Sequence, residues 1–184
     1  MAETRMQGRK GFSWRPIGWG GAAFLLTLPL VAGAPWTLSD YVIMGLMLGV
    51  AGLVIELAVR TSGNRAYRGG ATLAVAASFL LVWVNGAVGL LGSENNPANL
   101  LFFGVIAIAA AGSAMAGFRA AGMARAMFAA AAAQAAIGVA ALIWPLGSPG
   151  YQGIYEAVMG TILFSAFWLG SAGLFRRAAG QGQP

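Results

Sequence analysis

The chain alternates long apolar runs with short polar breaks. Six runs stand out, at Ile17–Ala34, Asp40–Val59, Ala71–Leu91, Leu100–Phe118, Met123–Trp144 and Tyr155–Leu174. Each is long enough, at about 1.5 Å per residue, to cross a hydrocarbon core about 30 Å thick. An isolated apolar strand would leave its amides unpaired in lipid, and the strict alternation of a barrel strand is absent, so helix is the state these runs predict. The expected fold is all-α: a polytopic membrane bundle of six transmembrane helices. Residues 1–16 form a basic tail, 17–174 the six-helix domain and 175–184 a short second tail.

The breaks carry helix signals. Pro16 and Pro97 suit first helical positions, the latter capped by Asn96, and Ser39 and Asp40 suit the start of the second run. Pro29 lies inside the first run, where a kink is expected. That run follows Arg5, Arg9, Lys10 and Arg15 and ends near Val31-Ala32-Gly33-Ala34, so a cleaved signal peptide is an alternative to a retained span.

Charge orients the bundle. The basic residues fall in the N-terminal tail (Arg5, Arg9, Lys10, Arg15), the second break (Arg60, Arg65, Arg68), the fourth (Arg119, Arg125) and the C-terminal tail (Arg176, Arg177), which accounts for all 11. The other breaks or their edges hold Asp40, Glu94 and Glu156. This is the positive-inside pattern, so both termini are expected to be cytoplasmic and the number of spans even. The formal charge of +6 then orients the chain against anionic lipid and does not point to nucleic acid. Trp14 and Trp19 near one interface, and Trp36, Tyr41, Trp144, Tyr151 and Tyr155 near the other, fit interfacial anchoring.

Composition agrees: charged residues make up 9% of the chain, against roughly 25% in a soluble domain. It also removes chemistry. With no Cys there is no disulfide, thiolate metal site or Cys nucleophile, and with no His there is no histidine ligand or imidazole base. The only lysine is Lys10, outside every run, which excludes a retinal Schiff base. Five acidic residues remain, and no phosphate-binding, dinucleotide or Gly-x-Ser-x-Gly motif is present. An enzyme is therefore not expected, nor is any cofactor or metal.

The candidate functional residues are the polar groups inside the runs. Glu56 shares a helix face with Gly45, Gly49 and Gly52, which let another helix approach, so it should face protein. Arg60, four residues later, is placed to pair with it. A paired interfacial carboxylate is the plainer reading and a proton or cation role the sharper one. Asn85 shares a face with Ser78, Gly89 and Gly92, and Gln134 with Ala130, Gly138 and Ala141. Counted from the arginine-bearing ends, these two amides come within about 5 Å of one depth. They are expected to hydrogen-bond to each other or to backbone, as glue between helices or as the lining of a solute path. The break from Gly92 to Asn99 offers Glu94, Asn95, Asn96 and Asn99, either a well-capped turn or a weak site for a hard cation. Its Leu91-Gly92-Ser93 recurs as Leu146-Gly147-Ser148, which suggests duplicated hairpins.

The segment Val82–Gly89 (VWVNGAVG), running on to Gly92–Asn99 (GSENNPAN), together with Glu56–Arg60 (ELAVR) and Leu174–Arg177 (LFRR), resembles small bacterial multi-pass proteins without an assigned activity. The resemblance covers roughly residues 38–177. It implies a bacterial inner (cytoplasmic) membrane and supplies no chemistry. The expected function is that of a non-catalytic component or accessory subunit of a membrane assembly, partnered by the bilayer and by itself or a larger complex. The alternative is a small transporter or channel for an ion or neutral solute, using Glu56 and the Asn85/Gln134 layer.

Overall fold

The computed structural model describes residues 14–182 apart from Pro145, and the side chains of Trp14, Arg15 and Ile17 lie outside the description. The basic segment with Arg5, Arg9 and Lys10 therefore lies outside the described residues. Within them the regular structure is all helical: α1 (Trp14–Val31), α2 (Leu38–Thr61), α3 (Arg65–Ala87), a 3-10 turn (Pro97–Leu100), α4 (Leu101–Met115), α5 (Ala120–Ile143) and α6 (Tyr151–Gly180). Five helical segments are long and apolar enough to cross a membrane, the third counting the 3-10 turn with α4. α1, with 18 residues, extends about 27 Å. The chain divides into two compact units, residues 1–52 and 53–184.

In the first unit α2 starts two residues earlier than the hydropathy pattern suggests, at Leu38. Asp40 reaches back to accept hydrogen bonds from the Thr37 amide (2.7 Å) and hydroxyl (2.8 Å), which supplies the acidic half of a capping box. The expected starters Ser39 and Asp40 are thus the second and third residues of the helix. Gly45 and Gly52 of α2 lie against α1, while a Cβ on Gly49 would meet nothing within 4 Å. A Cβ on Gly52 would lie 3.0 Å from the Trp19 ring, and one on Gly45 would meet Leu26 at 3.8 Å. Trp36 and Tyr41 stack edge to face at the other end, with centroids 5.3 Å apart.

In the second unit α6 packs antiparallel against both α3 and α5, and α4 packs on α5. The core is built on Leu81, Phe102, Val105, Met127, Phe164, Trp168 and Phe175, each at most 2% exposed. Small residues set the helix spacing. A Cβ on Gly112 would run into Ala126, and one on Gly70 would press on the Phe175 ring at 3.1 Å.

Of the boundaries that differ from the sequence reading, three more have a local reason. α3 begins at Arg65 rather than Ala71, since the Asn64 side chain accepts from the amides of Ala66 and Tyr67. It ends at Ala87 rather than Leu91, because the chain turns through Gly89 and Gly92, both left-handed with φ of 75° and 74°. α6 does not stop at Leu174. It continues through Arg176, Arg177 and two alanines, which favour helix, to Gly180, so most of the expected C-terminal tail is helical.

The second unit has two chemically distinct ends. At one, the Asn64 amide donates to Gln181 Oε1 at 2.9 Å, Tyr67 donates to the Phe118 carbonyl at 2.9 Å, and Arg68 donates to the carbonyls of Ser62 and Val59 at 2.7 and 2.9 Å. The arginine-bearing breaks and the end of α6 are gathered there. At the other end lie the break that holds Glu94 and the start of α6 with Glu156.

Candidate functional site

The ionisable pair lies near the arginine-bearing end. Glu56 is 9% exposed, and Arg60 donates to its Oε1 from Nε at 3.1 Å and from Nη2 at 2.5 Å. The Arg60 side chain is itself 64% exposed. The spacing of four residues stacks the two side chains on one helix face, with the carboxylate on the N-terminal side. Chemically this is a carboxylate held next to a permanent positive charge, close to where a chain can reach water.

The two amides inside the helices behave differently from each other. Asn85, 5% exposed, donates from Nδ2 to the Leu81 carbonyl one turn back at 2.6 Å, while its Oδ1 has no hydrogen-bond partner. Gln134 is fully buried, and neither its Oε1 nor its Nε2 has a hydrogen-bond partner. Of the two expected arrangements Asn85 makes the bond to backbone, while no bond joins the two amides, and helix register gives the reason. Gly69 and Gly70 of α3 lie against Leu174 and Phe175, so Asn85 comes level with a point near residue 158 of α6. Gly138 of α5 lies against Thr161, so Gln134, one turn away, comes level with Ser165. Seven residues of α6 separate those levels, about 10 Å. Depth counted from the ends of the runs missed this because α3 starts a turn and a half earlier than its apolar run.

Sequence reasoning did not single out two further buried polar atoms on α6. Ser165 Oγ and Trp168 Nε1 are likewise without partners. By the same register Ser165 lies level with Gln134, and Trp168 follows three residues along α6. The sequence signal was a lone Ser and Trp in an apolar run, which periodicity alone reads as packing.

At the opposite end the polar break is a tightly knit turn. Asn99, 4% exposed, accepts at Oδ1 from the amides of Leu90 (3.1 Å) and Leu91 (2.9 Å) and donates to the Ser93 carbonyl at 2.9 Å. Asn96 accepts from the Ala98 amide at 3.0 Å, capping the 3-10 turn opened by Pro97, and donates to the carbonyls of Leu91 and Leu146. The carboxamide oxygens of Asn96 and Asn99 are thus turned onto backbone amides and away from any common centre where a cation would sit. Glu94 is exposed and is engaged with the neighbouring Asn95 amide at 3.2 Å.

The residue that joins this end together is Glu156. Its Oε2 accepts from the amides of Gly92 (2.9 Å) and Ser148 (3.2 Å), and its Oε1 from the Ser148 hydroxyl at 2.7 Å. The two Leu-Gly-Ser triplets therefore meet in space. A Cβ on Gly92 would lie 3.6 Å from the Gly147 carbonyl carbon and the Ser148 nitrogen. From sequence Glu156 was legible only as a charge at the edge of the last run.

No protein-family model, curated protein or solved structure matches the chain.

Proposed function

We propose that the chain is a six-span protein of a bacterial inner membrane, with both termini cytoplasmic, that serves as a non-catalytic component or accessory subunit of a membrane assembly. The observation that carries this reading is the sealed centre of the second unit. Gln134 is fully buried, and Met127 and Ala130 on α5 and Phe164 and Trp168 on α6 are buried as well. Two grooves on this unit lie at its arginine-bearing end, and neither is lined by Asn85 or Gln134. A solute path would need polar groups that water can reach. The segregation of arginines from Glu94 and Glu156 supports the orientation. The pairing of Glu56 with Arg60 supports a structural role for the carboxylate, one that keeps a charge acceptable at the boundary of the membrane.

A second reading, a small transporter, draws support from the unpartnered atoms of Gln134, Ser165 and Trp168 on adjoining helices, since buried polar groups normally have partners. Purification of tagged protein in a mild detergent distinguishes the two. The accessory reading expects a stoichiometric partner that survives gel filtration. A lone, monodisperse particle that moves an ion or neutral solute across reconstituted vesicles, and loses that ability on Gln134→Leu, overturns it.

A further inference from the structure

We propose that the groove between α5 and α6 at their arginine-bearing end is a binding site for one anionic phospholipid, with its phosphate on Arg125 and Arg176 and an acyl chain along the groove. The inference rests on α5 and α6 crossing a bilayer and does not depend on the accessory-subunit reading. The groove has a volume of about 690 Å³ and is polar at one end only. Arg125 from α5 and Arg176 from α6 both line it and both are exposed, and neither has an ion-pair partner among the described residues. Two guanidiniums brought from different helices onto one depression leave like charges uncompensated, and each presents a planar fork suited to phosphate oxygens.

The rest of the groove is apolar. Phe128 lies one turn along α5 from Arg125, and Leu169 two turns along α6 from Arg176. Both line the groove and are 63% and 47% exposed. Between these walls the floor is made of small residues, among them Ala124 and Gly173, and a Cβ on Gly173 would meet nothing within 4 Å. A charged mouth that gives way to an apolar trough along the helix axes has the polarity of a phospholipid lying beside the protein. A free phosphate would use the mouth and leave the trough unfilled. α5 also begins without a side-chain cap at Arg119, so its positive helix end adds to the field at the mouth. Basic pockets between spanning helices have this character generally.

The test uses full-length protein in a neutral detergent, with thermal unfolding and native mass spectrometry as readouts. Dioctanoyl phosphatidylglycerol, dioctanoyl phosphatidylcholine and inorganic phosphate are titrated separately. Phosphatidylglycerol is expected to stabilise the wild type and to remain bound at one copy, the other two ligands to do neither. Arg125→Gln with Arg176→Gln should weaken binding about thirtyfold, from roughly a factor of five for each basic side chain near a phosphate. Arg65→Gln with Arg177→Gln, which empties the other groove of charge, should change it little. If the first pair fails to fold, Gly173→Leu keeps both charges and blocks the trough, and should displace the lipid. Equal response to phosphatidylcholine, equal response to inorganic phosphate, or retention of phosphatidylglycerol by the folded Arg125/Arg176 or Gly173 variants overturns the proposal.

Discussion

Glu156 holds the backbone amide of Gly92 at 2.9 Å across 64 positions of the chain. The same carboxylate also holds Ser148 through its amide and hydroxyl. One side chain at the start of α6 thus ties together the break after α3 and the break after α5. Hydrogen bonds to a charged group contribute about 1.5–3 kcal/mol each, less where water competes. Glu156→Ala is expected to destabilise the protein by about 2 kcal/mol, read as a lower midpoint of thermal or detergent-induced unfolding. Glu156→Gln, which keeps acceptor capacity on one oxygen, should cost about half as much. An unchanged midpoint for Glu156→Ala would show that the two breaks are held without it.

Asn99 does its work through shape as well as polarity. Its oxygen satisfies two consecutive amides and its nitrogen donates to the carbonyls of Ser93 at 2.9 Å and Leu91 at 3.5 Å, and the site is buried. Asn99→Leu leaves those groups without partners and should cost about 2–4 kcal/mol. Asn99→Asp retains both accepted bonds and loses the donated ones, so its loss should be the smaller of the two in the same unfolding assay. The reverse order would mean that the amide nitrogen dominates.

Gly138 is the closest approach between α5 and α6. A Cβ there would run into the side chain of Thr161, so Gly138→Ala is expected to destabilise by about 1–3 kcal/mol through overpacking. Thr161→Ala in the same chain should recover most of that loss, a non-additive pair of the kind neighbouring residues give. Additive effects in the double variant would place the strain elsewhere.

These contacts show where the sequence was readable and where it was not. The apolar runs foretold the helical state and the approximate places of the helices, because burial in lipid leaves the backbone no other option. The Glu56–Arg60 pair was legible since both residues lie on one helix, four positions apart. Asn96 as a cap before Pro97 was legible for the same local reason. Glu156 with Gly92, and Gln134 level with Ser165, were not, because each depends on how one helix slides against another. That register is set by small residues such as Gly70 and Gly138, whose partners no spacing within a single run reveals.

The orientation can be measured directly because the chain has no Cys. Single substitutions Gly63→Cys and Gln181→Cys lie at the exposed arginine-bearing end of the second unit, and Asn95→Cys in the exposed break at its other end. A membrane-impermeant maleimide applied to intact cells should label Asn95→Cys alone. Gly63→Cys and Gln181→Cys should react only after the membrane is opened. Gly8→Cys should follow the protected pair if α1 crosses the bilayer and both termini are cytoplasmic. Labelling of Gly8→Cys from outside would remove α1 from the spans and make their number odd.

Gln134 bears most directly on what the protein does. A fully buried carboxamide with no partner loses its bonds to water and gains none in return, a cost of about 1–3 kcal/mol. If the α5–α6 contact is only a packing surface, Gln134→Leu removes that cost while keeping the volume, and the variant should be as stable as the wild type or more stable by about 1 kcal/mol. Asn85→Leu, which gives up a formed bond to the Leu81 carbonyl, should not share that gain. If instead Gln134 serves a polar solute together with Ser165 and Trp168, Gln134→Leu should abolish that solute's transport in vesicles at unchanged folding. Thermal unfolding of the two variants beside a vesicle flux assay separates these outcomes. A flux lost with stability intact would favour the transporter reading over the accessory one.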